Sequence, residues 1–258
     1  MLEIEDLSFA FDDGPQVFDG LTLSIETGGV LAVLGANGTG KTTLLRLLAG
    51  LLEPAAGGIE IDGRGEPIVG LAPETPADGL FSPTVAEEIA FFPENRGLPV
   101  DEHVTEAMHR LGIAGLAERD PHTLSEGEKR LVTIAAVLAG DPDILGLDEP
   151  TSGLDREAWE RLGDRLGALD RTVLAVTHDT DFAWRYADRA IVLDESGLRR
   201  QGPVDSVLAD PDFDLEAAGL DPPQPVAWAS ARDIEPPPRT VAEAVDLLER
   251  GEKPEGGP

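Results

Sequence analysis

The sequence predicts an α/β fold, in which a largely parallel sheet carries a phosphate-binding loop, an inserted helical segment and a small C-terminal extension. Three observations lead to this prediction. A glycine-rich loop at 35–43 lies between an apolar run typical of a strand and an apolar run typical of a helix. Further apolar strands are predicted at 143–147, 172–177 and 189–194. Residues from about 82 to 140 lack strand alternation and are predicted to be mainly helical.

The composition excludes several classes of protein. The chain of 258 residues carries 50 acidic and 20 basic side chains, a formal net charge of −30. With 41% hydrophobic residues it can bury a sizeable core. The absence of cysteine excludes disulfide bonds, thiolate metal sites and cysteine nucleophiles. The negative charge argues against binding to bare nucleic acid, which requires clustered cations.

The distribution of charged residues bears on the salt concentration in which the protein works. Seventeen of the basic residues are arginine and three are lysine, and the acidic residues are spread along the chain. An ordinary acidic protein is one alternative, but we expect adaptation to concentrated salt, where screening removes self-repulsion, as in a halophile. The longest apolar run, 131–139, is too short to span a bilayer, and the first residues are acidic where a secretory signal would be basic. We therefore expect a cytosolic globular protein.

The glycine-rich loop carries the most specific motif. Residues 35–43 read G-A-N-G-T-G-K-T-T, which matches the phosphate-loop pattern G-x-x-x-x-G-K-[ST] in its required setting. The glycines let successive backbone N–H groups turn toward phosphate oxygens at a helix N-terminus. The Lys41 ammonium would reach the β- and γ-phosphates, and the Thr42 hydroxyl would bind Mg²⁺. The predicted nucleotide-binding residues of the loop are Gly35, Ala36, Asn37, Gly38, Thr39, Gly40, Lys41, Thr42 and Thr43.

Two later strands end in groups suited to phosphate chemistry. Asp148 and Glu149 follow the strand at 143–147, and His178 follows the strand at 172–177. Because strand ends of a parallel sheet meet the ligand, we expect Asp148 to hold Mg²⁺ and Glu149 to polarise the attacking water. His178 would lie near the γ-phosphate. The alternatives are two acids solvated at a strand end and a structural histidine.

Taken together, these motifs resemble those of the nucleotide-binding subunits of ABC transporters. Residues 35–43 resemble the Walker A loop, 144–149 the Walker B strand, 152–155 the D-loop with Asp155, and His178 the switch histidine. The motif that separates this family from other phosphate-loop proteins is the signature, which here consists of Leu124, Ser125, Glu126, Gly127 and Glu128.

The resemblance implies a RecA-like P-loop NTPase sheet with an inserted helical signature subdomain, which hydrolyses ATP with Mg²⁺. It also implies a head-to-tail dimer that encloses two ATP molecules, in which Ser125 and Gly127 contact the γ-phosphate held by the opposite subunit. From the residues alone, Ser125-x-x-Glu128 is equally a helix capping box.

A narrower resemblance concerns the energy-coupling-factor (ECF) transporters. Residues 80–98, 218–225 and 236–245 are similar to the ATPases of this group, which includes cobalt- and nickel-type importers. This implies a homo- or heterodimeric ATPase pair on the cytoplasmic face of the membrane, with an integral membrane scaffold subunit and a small substrate-capture membrane protein. The cargo would be a micronutrient, either a transition-metal ion or a vitamin. The alternatives are another ABC transporter class, a soluble ABC ATPase of DNA repair or translation, and a nucleotide sensor without hydrolysis.

Several positions depart from the family pattern. Glu74 aligns with a glutamine that commonly helps to coordinate Mg²⁺ and senses the membrane subunit. Its carboxylate is a further candidate metal ligand, but it adds negative charge beside a triphosphate. Gly79 stands where ECF-type ATPases have glutamine. Glu126 and Glu128 replace glycine and glutamine at positions that we regard as tolerant.

The base is expected to stack on an aromatic residue near the N-terminus. Phe11 matches the stacking aromatic of the family, and Phe9 alternates with it, so that one β-strand would place both rings on the same face. We favour Phe11 but leave the choice open, since both rings could belong to the core. Stacking alone discriminates poorly among bases, so some use of GTP is compatible with this site.

The chain is predicted to contain two parts. A nucleotide-binding domain spans 1–204, with its helical subdomain at about 82–140, and an acidic, proline-rich extension spans 205–258. A short helix is predicted at 240–250, followed by disorder over 252–258. Its apolar face would pack on the chain's own core or, as we favour, on the partner subunit. That face consists of Val241, Ala244, Val245 and Leu248.

Overall fold

The protein is described here by a computed structural model that covers residues 1–12, 14–61 and 68–249. Within these residues, strands form two sheets with helices packed around them. The strands are β1 Leu2–Ala10, β2 Gln16–Ile25, β3 Val30–Leu34, β4 Ala56–Ile61, β5 Val69–Ala72, β6 Ile144–Asp148, β7 Thr172–Thr177, β8 Arg189–Asp194 and β9 Gly197–Pro203. The α-helices are α1 Lys41–Leu48, α2 Val85–Arg96, α3 Val100–Arg110, α4 Glu126–Ala139, α5 Arg156–Gly167, α6 Thr180–Tyr186, α7 Val204–Leu208, α8 Gln224–Ser230 and α9 Val241–Glu249.

The larger sheet brings the candidate motifs to one edge. Its strand order is β5-β6-β7-β3-β8-β9, with every neighbouring pair parallel except β8 and β9. Strand β7 lies between β6 and β3, and its last residues pair with Asp148 and Leu34. All residues of β3, β6 and β7 are buried, which explains why they are continuous apolar runs. The loops that follow these three strands therefore converge.

The smaller sheet is antiparallel, with the order β2-β1-β4. Strand β1 alternates between buried apolar residues such as Ile4 and exposed acidic residues such as Glu3, because one face packs inward and the other meets solvent. Helix α1 is packed in the same core cluster, which includes Leu44 and Leu45 together with the inward residues of both sheets. This packing fixes the helix that follows the phosphate loop.

A helical region joins β5 to β6. Helices α2, α3 and α4 pack against one another and share the main core with the other face of the larger sheet. Ser125 caps α4 in a capping box with Glu128, and ten residues of α4 are buried. The signature residues therefore lie at the start of a helix that is anchored in the core.

The C-terminal part follows β9. Its last described helix, α9, leaves Val241, Val245 and Leu248 exposed by 68%, 44% and 59%. The predicted end of the extension, residues 250–258, lies outside the described residues, as does the disorder predicted there. Among the helices that the structure describes, none has the length and apolar character needed to cross a membrane.

Candidate functional site

The phosphate loop joins the buried end of β3 to the first residue of α1. Gly38 and Gly40 have φ angles of 88° and 92°, a region that glycine adopts without the steric cost of a Cβ. A Cβ on Gly40 would lie 2.8 Å from the side chains of Val17 and Phe18. Glycine is therefore required there both for the backbone conformation and for close packing against β2.

Lys41 is folded back onto its own loop. Its Nζ donates hydrogen bonds to the carbonyl oxygens of Gly35, at 2.7 Å, and Ala36, at 2.9 Å. Burial lowers the pKa of the Lys41 ammonium, whereas the carboxylates of Glu149 and Asp148 oppose this shift. An incoming phosphate would offer this buried cation stronger, charge-assisted acceptors than two carbonyl groups.

Thr42 and Asp148 form an oxygen pair beside the loop. The Thr42 Oγ1 donates a hydrogen bond to Asp148 Oδ1 at 3.0 Å, although the two residues belong to α1 and β6. Burial raises the pKa of Asp148, and the neighbouring carboxylates of Glu149 and Glu74 act in the same direction against the Thr42 hydrogen bond. A cation bound beside Asp148 would stabilise its ionised carboxylate against burial and the neighbouring negative charges.

These donors fit Mg²⁺, which prefers oxygen ligands and is typically held by one or two carboxylates together with substrate phosphates. Within the described parts of the chain, no cluster of three or more histidine, cysteine, aspartate or glutamate side chains is placed to hold a metal. Phosphate oxygens of a bound nucleotide would add to the oxygen ligands that Thr42 and Asp148 offer.

Glu149 and His178 face each other at the ends of β6 and β7. His178 Nδ1 lies 3.0 Å from Glu149 Oε1, and Thr177 Oγ1 donates to Glu149 Oε2 at 2.9 Å. Glu149 has a φ of 44°, in a region where a non-glycine residue is strained, and its N–H donates to the Val176 carbonyl. Both carboxylate oxygens are thus oriented by neighbours, as a group that positions water would require.

The two aromatic residues of the N-terminal segment differ in burial, although their rings are in contact. Phe9 belongs to β1 and is 7% exposed, whereas β1 ends at Ala10 and Phe11 is 45% exposed. The pairing of β1 with β2 shifts register on both sides of Phe9, which disrupts the period of two. The rings meet edge to face, with centroids 4.9 Å apart. Phe9 therefore belongs to the core, whereas the Phe11 ring remains exposed.

An open cleft of about 550 Å³ brings most of these groups together. It is lined by Phe11, Val17, Asn37, Gly38, Gly40, Lys41, Thr42, Thr43, Glu74, Glu149 and His178. The cleft joins an exposed aromatic ring to the phosphate loop and to the catalytic candidates, which is the order of base, phosphates and water in a nucleoside triphosphate site. Glu74, on the loop after β5, is exposed at its edge.

Other predicted residues lie elsewhere in the chain. The signature residues Leu124, Ser125, Glu126, Gly127 and Glu128 and the D-loop residue Asp155 are not among those that line the cleft. Ser125 Oγ is 2.9 Å from Glu128 Oε2 and accepts the Glu128 N–H at 3.3 Å. Asp155 caps α5 by accepting the Ala158 N–H at 2.8 Å. In a single chain these side chains serve as helix caps.

Two residues that the sequence did not single out connect parts of the site. Asp179, next to His178, accepts hydrogen bonds from Thr151 Oγ1 at 3.1 Å and Trp159 Nε1 at 2.8 Å. Arg130, which is 3% exposed on α4, donates to the Pro73 carbonyl at 2.9 Å, immediately before Glu74. Arg130 directly precedes the apolar run 131–139 of α4, and this position was the available signal for its burial, whereas nothing local distinguishes Asp179 from other helix caps.

Comparison with known proteins bears on the whole chain. The sequence profile described as ABC transporter matches residues 18–152. Over 227 residues the chain is 41% identical to the energy-coupling factor transporter ATP-binding protein EcfA of Methanothermobacter thermautotrophicus, covering 81% of this chain and 73% of that protein.

Solved structures agree in fold. The chain is similar to cbiO1 of Clostridium perfringens, described as part of the ABC transporter complex cbiONQ, with a TM-score of 0.75 and 30% identity over 96% of this chain and 98% of that one. It is also similar to an ATP-binding subunit of an ABC transporter, with a TM-score of 0.70 and 25% identity over 85% of this chain and 98% of that one. These matches confirm the predicted fold class, an α/β P-loop NTPase.

Proposed function

The chain belongs to the ABC transporter family as an ATP-hydrolysing subunit, and from this premise we propose that it powers an ECF-type importer for a micronutrient. The observation that carries the site assignment is the convergence of the phosphate loop, the Thr42–Asp148 pair and the Glu149–His178 pair at one edge of the sheet. Similarity to EcfA and cbiO1 supports the narrower assignment to ECF-type transport.

The proposed mechanism assigns one task to each group. Lys41 and the loop N–H groups bind the phosphates, and Phe11 stacks on the base. Thr42 and Asp148 would hold Mg²⁺, and the ion would supply charge neutralisation at the phosphate oxygens. Glu149, oriented by Thr177 and His178, accepts the proton of the attacking water, and His178 stabilises the γ-phosphate.

We propose that the site is completed by a second subunit. Ser125 and Gly127 lie at the N-terminus of α4, outside the cleft of their own chain, and they would contact the γ-phosphate in the cleft of the partner. The order of the motifs supports this arrangement, as does the open form of the cleft. The pair of ATPase subunits would then close on ATP and open after hydrolysis.

An exposed aromatic cluster suggests where the membrane subunit docks. Phe81, Phe91 and Phe92 are exposed by 62%, 40% and 38%, and their rings contact one another edge to face. Phe81 follows the loop that carries Glu74, and Arg130 links that loop to α4. We propose that the integral membrane scaffold docks on this cluster, which would place the subunit at the cytoplasmic face of the membrane.

Co-purification tests this function. The tagged chain would be isolated from gently solubilised host membranes in high salt, and its partners identified by mass spectrometry. We expect one polytopic scaffold and one small integral membrane protein, whose cargo can then be tested among transition-metal ions and vitamins. Recovery of soluble, ribosomal or DNA-bound partners alone would contradict transport while leaving the ATPase activity in place.

A matched pair of variants controls for non-specific capture. Phe81→Ser removes an aromatic residue from the proposed docking cluster, and we expect it to lose the scaffold. Leu51→Ser removes a residue of similar exposure, 64%, that follows α1 rather than the cluster, and we expect it to retain the scaffold.

A further inference from the structure

A segment of the C-terminal extension lies directly against the phosphate loop. Gly219 has a φ of 72°, and a Cβ added there would lie 2.8 Å from the Ala36 Cβ, closer than a Cβ approaches non-bonded atoms in proteins. On either side of it, Ala218 and Leu220 are buried in the main core, which fixes the position of Gly219. The backbone at Gly219 is therefore held in contact with Ala36.

Ala36 matters because its carbonyl group organises the loop. The Ala36 oxygen accepts hydrogen bonds from Lys41 Nζ at 2.9 Å and from Thr39 Oγ1 at 3.0 Å. A displacement of Ala36 would move the acceptor that holds the Lys41 side chain. The contact with Gly219 thus bears on the cation that is to bind phosphate.

The same segment also holds the element that follows His178. Thr180, which is buried at the start of α6, donates its hydroxyl to the Asp221 carbonyl at 2.8 Å. The neighbouring Asp181 accepts two hydrogen bonds from Gln224, one from its N–H at 2.7 Å and one from its Nε2 at 2.8 Å. Residues 219–224 therefore contact both the phosphate loop and the first turn of the helix that follows His178.

Further contacts fasten the extension to α6. The Trp184 Nε1 donates to the Pro238 carbonyl at 2.8 Å, and this bond is buried. The Arg239 guanidinium lies over the Trp184 ring, 4.3 Å from its centroid, and also contacts Asp205. The extension thus contacts α6 both at its first turn and near its C-terminal end.

We propose that residues 215–224, which we call the brace, hold the phosphate loop and the His178 loop in the geometry needed for nucleotide binding. Gly219 is then a positioning residue, since it acts through Ala36 and does not itself line the cleft. This inference rests on the proposed nucleotide site. A loop that is fixed before the ligand arrives binds it with a smaller loss of conformational entropy.

The test is Gly219→Ala, which places a methyl group against Ala36. We expect the Kd for Mg-ADP, measured by calorimetry so that hydrolysis does not intervene, to rise about three- to tenfold. The matched control is Gly97→Ala at the end of α2, where φ is 67° and a Cβ would meet nothing within 4 Å. Gly97→Ala introduces similar backbone strain but no steric contact, so we expect it to bind Mg-ADP with the Kd of the wild-type chain.

Rescue separates positioning from general destabilisation. Ala36→Gly combined with Gly219→Ala removes the steric conflict, and we expect the double variant to bind Mg-ADP more tightly than Gly219→Ala alone. Without nucleotide, the midpoint temperature of thermal unfolding should fall in both Gly219→Ala and Gly97→Ala, and further in Gly219→Ala because of its steric conflict with Ala36. Equal Kd values for Mg-ADP in Gly219→Ala and Gly97→Ala, or no rescue by the double variant, would overturn the positioning role proposed for the brace.

A second variant keeps the test decisive if Gly219→Ala does not fold. Thr180→Val removes the hydroxyl that donates to Asp221, and we expect at least a threefold rise in the Kd for Mg-ADP. Thr133→Val, which removes a similar buried hydroxyl bond within α4, is its control and should bind normally. An unchanged Kd for Thr180→Val would overturn the proposal. Failure of the wild-type chain to bind Mg-ADP would instead overturn the nucleotide site itself.

Discussion

Glu149 is the residue on which the proposed hydrolysis depends most directly. Its two carboxylate oxygens are held by Thr177 and His178, and its side chain is 12% exposed at the cleft. Asp148, one residue earlier, instead contacts Thr42 on the other side of the strand end. The two adjacent acids thus contact different partners, as the proposed division between a metal-binding and a proton-accepting carboxylate requires.

Glu149→Gln tests this division. The amide keeps an oxygen acceptor in place of the carboxylate but is a far weaker base, so we expect ATP binding to persist while turnover falls by roughly 10²–10³. With hydrolysis blocked, the ATP-bound dimer should accumulate in size-exclusion chromatography. The measurement is phosphate release in high KCl.

The control for this variant is Glu157→Gln on α5. Glu157 is 83% exposed and pairs with Arg161, so the same loss of one negative charge occurs away from the cleft. We expect turnover equal to that of the wild-type chain. Hydrolysis at the wild-type rate in Glu149→Gln would remove Glu149 from the proposed mechanism.

Single site residues could be predicted from the sequence where they belong to a motif of fixed local spacing. The phosphate loop is one such case, because its glycines, Lys41 and Thr42 are consecutive. Phe11 was favoured over Phe9, but alternation could not separate them, since the early end of β1 depends on pairing with β2. The contact of Gly219 with Ala36 was not predictable, because it joins distant segments through core packing rather than through any motif.

At the scale of elements, the signature begins α4 with a capping box that uses Glu128 in place of the family's common glutamine. Glu128 accepts hydrogen bonds from the N–H and the hydroxyl of Ser125, each at 2.9 Å. These bonds hold the pKa of Glu128 below its usual range, the backbone N–H contributing most. Glu128, which stands where the family commonly has glutamine, thus supplies the acceptor that completes the capping box.

We expect Glu128→Ala to lower the free energy of unfolding by about 1 kcal/mol at neutral pH. Because the folded pKa is depressed, this contribution is present above the unfolded pKa of about 4.3 and is lost as pH falls through the folded value. The difference between wild type and variant should therefore shrink at about pH 3. Urea unfolding at the two pH values measures it.

Glu126→Ala is the control on the same helix turn. Glu126 makes an ion pair with Lys129 but its side chain is 62% exposed and does not cap the helix. It carries the same change in helix propensity, so subtraction isolates the cap. Equal losses in the two variants, or a Glu128 effect that does not depend on pH, would mean that the carboxylate does not stabilise the helix start.

The strands of the two sheets differ in how well the sequence predicts them. The strands β6, β7 and β8 were predictable because each is buried on both faces and hence continuously apolar. The pairing of the smaller sheet is less evident from the sequence, since β1 pairs with β4 across two intervening strands, the phosphate loop and α1. Such pairing follows from packing of the two sheets around α1 and has no local signal.

At the scale of the whole molecule, the net charge of −30 is the dominant feature. It is not confined to one tail, and some acidic residues face each other directly. Glu3 on β1 lies opposite Glu60 on β4, and both side chains are exposed. Like charges in directly opposed positions destabilise a sheet at low salt. We propose that such pairs persist because the protein works where salt screens them.

Glu60→Lys tests this proposal, because it turns the repulsion with Glu3 into an attraction. At about 0.1 M KCl, where the Debye length is about 10 Å, we expect the free energy of unfolding to rise by about 0.5–1 kcal/mol. At about 1 M KCl, where the Debye length is about 3 Å, the gain should nearly vanish. Urea unfolding at both salt concentrations gives the two values.

Glu5→Lys provides the comparison that separates this pair from the net charge. Glu5 is exposed on the same face of β1 but lies opposite Gly58, so its substitution changes the net charge equally without removing a facing carboxylate. We expect a smaller gain at low salt for Glu5→Lys than for Glu60→Lys. If the two gains are equal, the effect belongs to the overall field of the protein. If the Glu60→Lys gain is unaffected by salt, it is not electrostatic, and the argument for adaptation to concentrated salt loses this support.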